Sequence, residues 1–400
     1  MKRLILSFAL VGLLVCGVNA QEKAKKVPYS VGMFKKGRAQ RTEIILPQVN
    51  GYNIYKGDFH VHTSYSDGTV TPAARVTEAW LDGLDIVAIT DHYEGRKGEQ
   101  RFFKVIAPYM DEGNSLEYQT AGKAGVVKAD FNAIHQEAVD QLEKSGYPML
   151  LVKGCEMARN SKTHGHFNCL FLEDANGLYN KDLKVAFANA RKQGAIIVHN
   201  HPGWRRETTD KTEFHEEVYK AGLIDGVEVV NGHTFYPHIV RRCVDEKLTM
   251  FANTDIHALS SYHRISTDTY RTMTFVLAKE LTEKAVKDAI LKRRTLAYVG
   301  GNIIGEEKLL GEFINAAIDC HFVSENSKDG TCLYRLTNLS SIPYTLSRGK
   351  TKYILSPFKT QLVTFKNDAK SGKRALPKFL VNNLWHLDYK NLDIELELDK

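Results

Sequence analysis

The sequence predicts an α/β fold, with a barrel of β/α units over residues 50–300 and a small all-β, sandwich-like domain over residues 302–400. Three observations carry that reading. Across the first region, short apolar runs alternate with amphipathic helical stretches. Past Gly300-Gly301-Asn302 the pattern changes to short alternating strands with no helix-period segment between them. Finally, side chains able to ligate a metal stand mostly at the ends of the apolar runs, the place where β/α barrels carry their active sites.

The expected strands of the barrel are 58–62, 85–90, 148–156, 166–172, 195–199, 226–231, 250–254, 273–277 and 296–299. Thr71-Pro72 reads as a helix start: Thr71 can cap free N–H groups and Pro72 suits the first turn. The helix then brings Val76, Ala79, Trp80 and Leu84 to one side, with Gly83 available to end it, so Trp80 reads as a core residue. Residues 94–146 exceed a simple connection and end in an expected helix at 130–144; they read as an insertion over the barrel mouth. His135 is expected on the surface of that helix. In the C-terminal region the expected strands are 313–323, 331–338, 353–356, 361–365 and 392–398.

Residues 1–20 carry the signature of a secretory signal peptide. Lys2 and Arg3 form a basic start, Leu4 to Val15 an apolar core, and Val18-Asn19-Ala20 a small-residue cleavage site before Gln21. The apolar run is short for a membrane span, and no later segment is long enough for one. The expectation is an exported protein, periplasmic or extracellular, with an N-terminal arm at 21–49. Removing Lys2 and Arg3 with the signal lowers the net charge from +7 to +5. That is mild, and the basic residues are scattered apart from Lys23–Arg41 and Lys366–Arg374, read as a solvated arm and a surface loop. No concentrated nucleic-acid surface is visible. The mature chain keeps five of six cysteines and no Cys-x-x-Cys pair, which excludes a disulfide framework or a sulfur-ligated zinc site. Cys320 and Cys332 flank a polar turn, which leaves a hairpin disulfide as the alternative to unpaired packing cysteines, the simpler reading.

The chemistry lies in the polar residues between these elements. In Gly57-Asp58-Phe59-His60-Val61-His62-Thr63, two imidazoles at i and i+2 on a strand point to one face and can hold one metal. Asp67 follows in Tyr65-Ser66-Asp67-Gly68, His92 closes Ile89-Thr90-Asp91-His92, and Glu156 sits in Gly154-Cys155-Glu156. His166 opens an apolar run, His201 precedes Pro202, and Asp255 and His257 close Asn253-Thr254-Asp255-Ile256-His257. Nine oxygen and nitrogen donors in this pattern look like the inner shell of a multinuclear metal site. His164 and His199 compete with His166 and His201 and rank behind them, as groups supporting the ligands or facing substrate.

This ordered set resembles the polymerase-and-histidinol-phosphatase (PHP) metallohydrolases, in particular their secreted phosphodiesterase-like branch, over about residues 50 to 300. The resemblance implies a distorted (β/α)7 barrel with up to three divalent metal ions, Mn, Fe or Zn, at the C-terminal ends of its strands. It assigns His60, His62, Glu156 and Asp255 to a first ion. Glu156 bridges to a second with His166 and His201, and Asp67, His92 and His257 take a third. Some relatives carry His where this chain has Asp67; the harder carboxylate makes manganese or iron as suitable as zinc. Water shared by two such cations loses a proton near neutral pH and attacks a phosphate whose charge the cations neutralise.

The expected function is an exported metal-dependent phosphoesterase acting on a small phosphoester, with phosphodiesters favoured. Further candidates at the site are Arg159 and Arg205 as phosphate contacts, Trp204 as cover for an apolar ester group, and His233 as a proton donor. The alternatives are a phosphomonoesterase of histidinol-phosphatase type, a nuclease, and a non-catalytic metal- or glycan-binding surface protein. An ordinary (β/α)8 amidohydrolase also begins with His-x-His, but the Asp67, Thr90-Asp91-His92 and Asp255-Ile256-His257 motifs argue against it.

Overall fold

The computed structural model describes residues 40–93, 116–119, 126–263, 269–366, 376–387 and 389–398. The expected signal peptide, the basic stretch before Arg41, most of the insertion at 94–130 and the basic loop at 367–374 lie outside the described residues. In chain order the first region contains β1 (Asn53–Asp58), α1 (Pro72–Leu81), β2 (Ile86–Ile89), β3 (Leu116–Gln119), β4 (Val126–Ala129), α2 (Phe131–Ser145), β5 (Leu150–Ala158) and β6 (His166–Leu170). It continues with α3 (Leu183–Lys192), β7 (Ile196–Asn200), α4 (Glu213–Lys220), β8 (Gly226–Asn231), β9 (Thr234–Phe235), α5 (Pro237–Asp245) and β10 (Thr249–Asn253). Then follow β11 (Met273–Ala278), α6 (Glu283–Leu291), β12 (Thr295–Val299) and β13 (Asn302–Ile304).

Strands β1, β2, β5, β6, β7, β8 and β10 are neighbours in that order. The ring closes beyond the strand ends. The His62 N–H donates to the Ile256 carbonyl at 3.1 Å and the Asp255 N–H to the His60 carbonyl at 2.9 Å, while Val61 bridges Ile256 in parallel. This is the expected distorted seven-stranded barrel, and the distortion has one source. β6 runs antiparallel to both neighbours, whereas the other ring pairs are parallel. Its register sets Ala158, His166 and Asn200 side by side, so the start of β6 lies with the ends of β5 and β7. Strands β2, β6, β7 and β10 are buried at every position; β2 reads as an unbroken apolar run, while the others also bury polar residues such as Asn168, His199 and Asn253.

Local chemistry fixes the helices. Thr71 caps α1 by accepting from the Ala74 N–H, with Pro72 in the first turn as expected. Trp80 is half-buried, stacked on Tyr147 at 4.8 Å and covered by the Arg41 guanidinium at 3.9 Å. Arg41 thus departs from the expected solvated arm. It donates to the carbonyls of Trp80, Gly83 and Leu84 and to the Asp85 carboxylate at 2.8 Å. His135 is half-buried on α2 rather than on the surface, and burial pushes its pKa down to about 4.

Helix α4 opens with a capping box in which Thr212 and His215 serve each other. The Thr212 hydroxyl accepts from the His215 N–H, and the Thr212 N–H donates to His215 Nδ1 at 3.1 Å. His215 Nε2 donates to the His164 carbonyl at 2.7 Å, so the ring is held neutral in one tautomer. Burial pushes its pKa down to about 4, against about 6.5 in the unfolded chain. Between those values the unfolded chain holds the extra proton, so stability present above about pH 6.5 is lost as pH falls toward about 4. The difference corresponds to at most about 3.5 kcal/mol. His215→Gln keeps both halves of the box without a titrating ring. Its loss of unfolding free energy between about pH 7 and about pH 4.5 is expected to be smaller than that of the native chain. Equal losses in urea titrations would contradict this.

After β13 the chain forms α7 (Glu307–Ala317), β14 (Ile318–Asn326), β15 (Thr331–Asn338), β16 (Tyr344–Arg348), β17 (Thr351–Leu355), β18 (Thr360–Lys366), β19 (Lys378–His386) and β20 (Lys390–Glu395). Helix α7 corrects the sequence reading, which placed a strand from Phe313 and no helix here. Leu310, Phe313, Ile314 and Ala317 are buried at helical spacing, and the strand begins only at Ile318. Sheet β14-β15-β18 faces the strands around β16 and β19 across one apolar cluster that includes Tyr334, Leu336, Val363, Tyr344, Leu346 and Val381. Phe365 meets Phe379 edge-on at 5.3 Å. This is the expected sandwich-like packing. Through β13, paired with β12 and β19, it continues the barrel's own sheet. Cys320 and Cys332 are both buried; they face Leu336 and Glu325 across the hairpin, not each other.

Candidate metal centre

One end of the barrel gathers the polar residues. β1 stops at Asp58, so His60 and His62 lie just past it, in the extended segment that closes the ring. Both rings are fully buried. His92 follows β2 and bridges Glu156 on β5; His166 opens the reversed β6; His201 follows β7; Asp255 and His257 follow β10. The reversal of β6 explains why a residue at a strand start joins residues at strand ends. His201 and Asp255 have positive φ, +26° and +53°, a left-handed conformation that turns both side chains inward at some backbone cost.

All nine sequence-predicted donors meet here. His60 Nε2 and His62 Nε2 are 3.1 Å apart and lie 3.2 and 3.0 Å from Asp255 Oδ1. Each is also 3.5 Å from a Glu156 oxygen. Glu156 Oε1 is 3.1 Å from His166 Nδ1 and 3.4 Å from His201 Nε2. Asp67 faces His257 Nε2 at 3.0 Å and His92 Nε2 at 3.4 Å. The donor atoms cluster as His60-His62-Glu156, His60-His201-Asp255, Glu156-His166-His201 and His62-Asp67-His92-His257. His62 thus stands closer to the Asp67 group than the sequence reading had it, and Asp255 reaches His201 as well as His60.

Further residues, not assigned a supporting role from the sequence, hold these donors. Glu228, buried in β8, accepts His60 Nδ1 at 2.8 Å, the His201 N–H at 2.7 Å, and the side-chain amides of Asn231 and Asn253 at 2.9 and 3.0 Å. Asn200 donates to Glu156 at 3.0 Å and to Asn168. Asp91 accepts the Thr63 N–H and the hydroxyls of Thr63 and Ser66, shaping the turn that carries Asp67. The signal for Glu228 was a lone carboxylate inside the apolar run Val227-Glu228-Val229-Val230.

The electrostatics and the donor set fit divalent cations. Burial disfavours charge on His60, yet Asp255, Glu228 and Glu156 outweigh it and raise its pKa well above the ordinary value. Burial likewise opposes charge on Glu156, but His92, His60 and His166 hold its carboxyl well below the usual range. Burial and the neighbouring His92 push His62 down to about 3, whereas Glu156 and Asp67 overcome burial to lift His92 to about 9. Protons on some rings and cations between them are two ways of meeting the same negative charge. Glu156 Oε2 is buried, with His92 Nδ1 at 2.7 Å and His62 Nε2 at 3.5 Å. Glu228, able only to accept, keeps the His60 proton on Nδ1, so that Nε2 offers its lone pair inward. A buried oxygen and imidazole lone pairs converging in this way fit a metal.

Other candidates stand outside the cluster. His164 bonds the Thr163 hydroxyl and packs against Phe214; His199 is buried with Nδ1 at 2.7 Å from the Tyr219 hydroxyl. Arg159 donates to the carbonyls of Ala158 and Asn180. His233 is exposed in the turn between β8 and β9. Trp204 borders the cluster, its ring centroid 5.1 Å from His166 and 5.3 Å from His201, and the exposed Arg205 lies over its face at 4.3 Å.

Comparison with known proteins agrees with this architecture. The PHP domain family matches residues 58–257, which run from the end of β1 to the last of the nine donors. A solved two-domain protein from Bacteroides vulgatus, containing a predicted PHP-like metal-dependent phosphoesterase, is 33% identical with a TM-score of 0.75, over 89% of this chain and 98% of its own. A structure from Bifidobacterium adolescentis assigned as a metal-dependent phosphoesterase is 16% identical, with a TM-score of 0.37 over 59% of this chain and 96% of its own. An amidohydrolase from Chromobacterium violaceum is 14% identical, with a TM-score of 0.32 over 51% of this chain and 88% of its own. No curated protein matched. The chain belongs to the PHP domain family.

Proposed function

We propose that this protein is a metal-dependent phosphoesterase, with phosphodiesters its preferred substrates, working through up to three divalent ions. The observation that carries the reading is the convergence of nine ligand-type side chains on one barrel end, with the buried Glu156 at their centre. The 33%-identical relative, which contains a predicted PHP-like metal-dependent phosphoesterase, supports the reaction class.

His60, His62, Glu156 and Asp255 would hold one ion; Glu156, His166 and His201 a second; Asp67, His92 and His257 a third. Bound divalent ions supply Lewis acidity toward phosphoryl oxygens and make water acidic enough to act as nucleophile near neutral pH. The chain's own residues do the rest. Asn200 and Glu228 hold Glu156 and His60 in place. Trp204 walls the site beside His166 and His201, where it would exclude water from an ester group. Arg205, and Arg159 at the end of β5, are assigned phosphate oxygens, and His233 the proton for the leaving alcohol.

Residues 1–20 support export, and with it a scavenging role on external esters. That location disfavours biosynthetic histidinol phosphate as substrate. Among the described residues no helix is long and apolar enough to cross a membrane. The test compares hydrolysis of bis(p-nitrophenyl) phosphate and p-nitrophenyl phosphate by manganese-loaded residues 21–400, with His60→Ala as control. Turnover of the diester well above the monoester, lost in His60→Ala, is expected. Monoester preference would make the protein a phosphatase. Full activity in His60→Ala would end the metal mechanism.

A further inference from the structure

The four groups around Glu228 have one property in common: all of them donate. His60 Nδ1 and Asn253 Nδ2 meet Oε1; the His201 backbone N–H and Asn231 Nδ2 meet Oε2. Two of these donors cannot reverse. The His201 N–H is backbone, and the Asn253 amide is oriented by its own oxygen, which accepts the Phe59 N–H at 3.0 Å. Asn231 also donates to Asp255 Oδ2 at 3.3 Å, so turning it would set its oxygen against a carboxylate. His60 alone can exchange roles, by moving its proton to Nε2.

From this geometry we infer that Glu228 is the positioning residue of the metal centre. It keeps the His60 proton away from the metal-facing nitrogen and fixes the spacing of His60, His201 and, through Asn231, Asp255. One buried carboxylate thereby sets three proposed ligands from three different strand ends without touching an ion. The inference rests on the metal-site reading above.

The conservative variant Glu228→Gln separates the two. Glutamine has the same shape but must place an NH2 against two donors. On the Oε1 side only His60 can adapt, and its adaptation puts a proton where a ligand lone pair is needed. Losing such a supporting group typically lowers metal affinity by about 10- to 100-fold. Calorimetric titration of Mn2+ into the metal-free full chain should show that loss in Glu228→Gln. The 15N shifts of the His60 ring in the metal-free protein, read at a pH high enough for the ring to be neutral, should move from an Nδ1–H toward an Nε2–H pattern. Unchanged affinity and unchanged shifts in a folded Glu228→Gln would overturn the role of Glu228 and leave the metal site standing. Failure of the native chain to take up Mn2+ would overturn the metal reading itself. If Glu228→Gln does not fold, Asn231→Ala carries the test. It removes one of the four donors and the tie to Asp255, so affinity should fall several-fold with His60 shifts unmoved; unaltered affinity overturns the inference.

Discussion

Glu156→Ala is expected to lower kcat/KM for the preferred phosphoester by on the order of a thousand-fold or more, and to strip bound metal from the protein. Glu156 is the one side chain whose oxygens reach His60, His62, His92, His166 and His201 together. Its removal takes a donor from two proposed ions at once. Metal stabilisation of phosphoryl charge is worth several kcal/mol of barrier, and each ~1.4 kcal/mol is tenfold in rate. Asp67→Ala touches only the group of His62, His92 and His257, so its effect should be smaller by a factor of ten or more, on the order of 1.4 kcal/mol. Steady-state kinetics with metal content measured on the same samples check the order. Equal losses in the two variants would contradict a bridging role for Glu156.

Arg271→Met should destabilise the fold by about 3–5 kcal/mol. Arg271 is buried, with Nη2 2.5 Å from Asp58 Oδ2 and Nη1 3.0 Å from Asp82 Oδ2. Asp58, the last residue of β1, also accepts the N–H and hydroxyl of Thr254, just past β10. Arg271 Nη2 also donates to the Thr254 hydroxyl at 3.2 Å, so the guanidinium braces the junction between the ends of β1 and β10, the two strands that close the ring. Removing the guanidinium leaves two buried carboxylates without their counter-charge, a larger penalty than losing an apolar contact. Because His60 lies two residues beyond Asp58 and donates its N–H to it, activity should fall alongside stability. Urea unfolding gives the free energy; a change below about 1 kcal/mol would mean that the pair contributes little to closure.

The metal donors were legible because barrel physics puts them where apolar periodicity stops. His92, His201, Asp255 and His257 each follow a buried run, and the sequence marks that boundary sharply. His166 was harder, since nothing in the sequence announces that β6 is reversed; its place before Phe167 carried the choice over His164. The strand expected at 58–62 was displaced, because β1 starts at Asn53 and the two histidines occupy the bridge that closes the ring. Glu228 escaped notice for a physical reason: its four partners come from β1, β7, β8 and β10, and no local pattern encodes a long-range acceptor. The boundary at Ile318 was hidden because Phe313 to Val323 stays rich in apolar residues through the end of α7 into β14, with no Gly or Pro to mark it. The orientation of Arg41, folded back on Trp80 and Asp85, was invisible for the same reason as Glu228.

Anomalous diffraction from crystals of the purified protein, with an X-ray fluorescence scan to name the element, tests whether metal ions occupy this barrel end. An anomalous peak is expected within about 2.0–2.3 Å of His60, His62, Glu156 and Asp255 donor atoms, with a second beside His166 and His201. A well-ordered barrel end with no anomalous peak among these residues, in protein equilibrated with manganese or zinc, would contradict it.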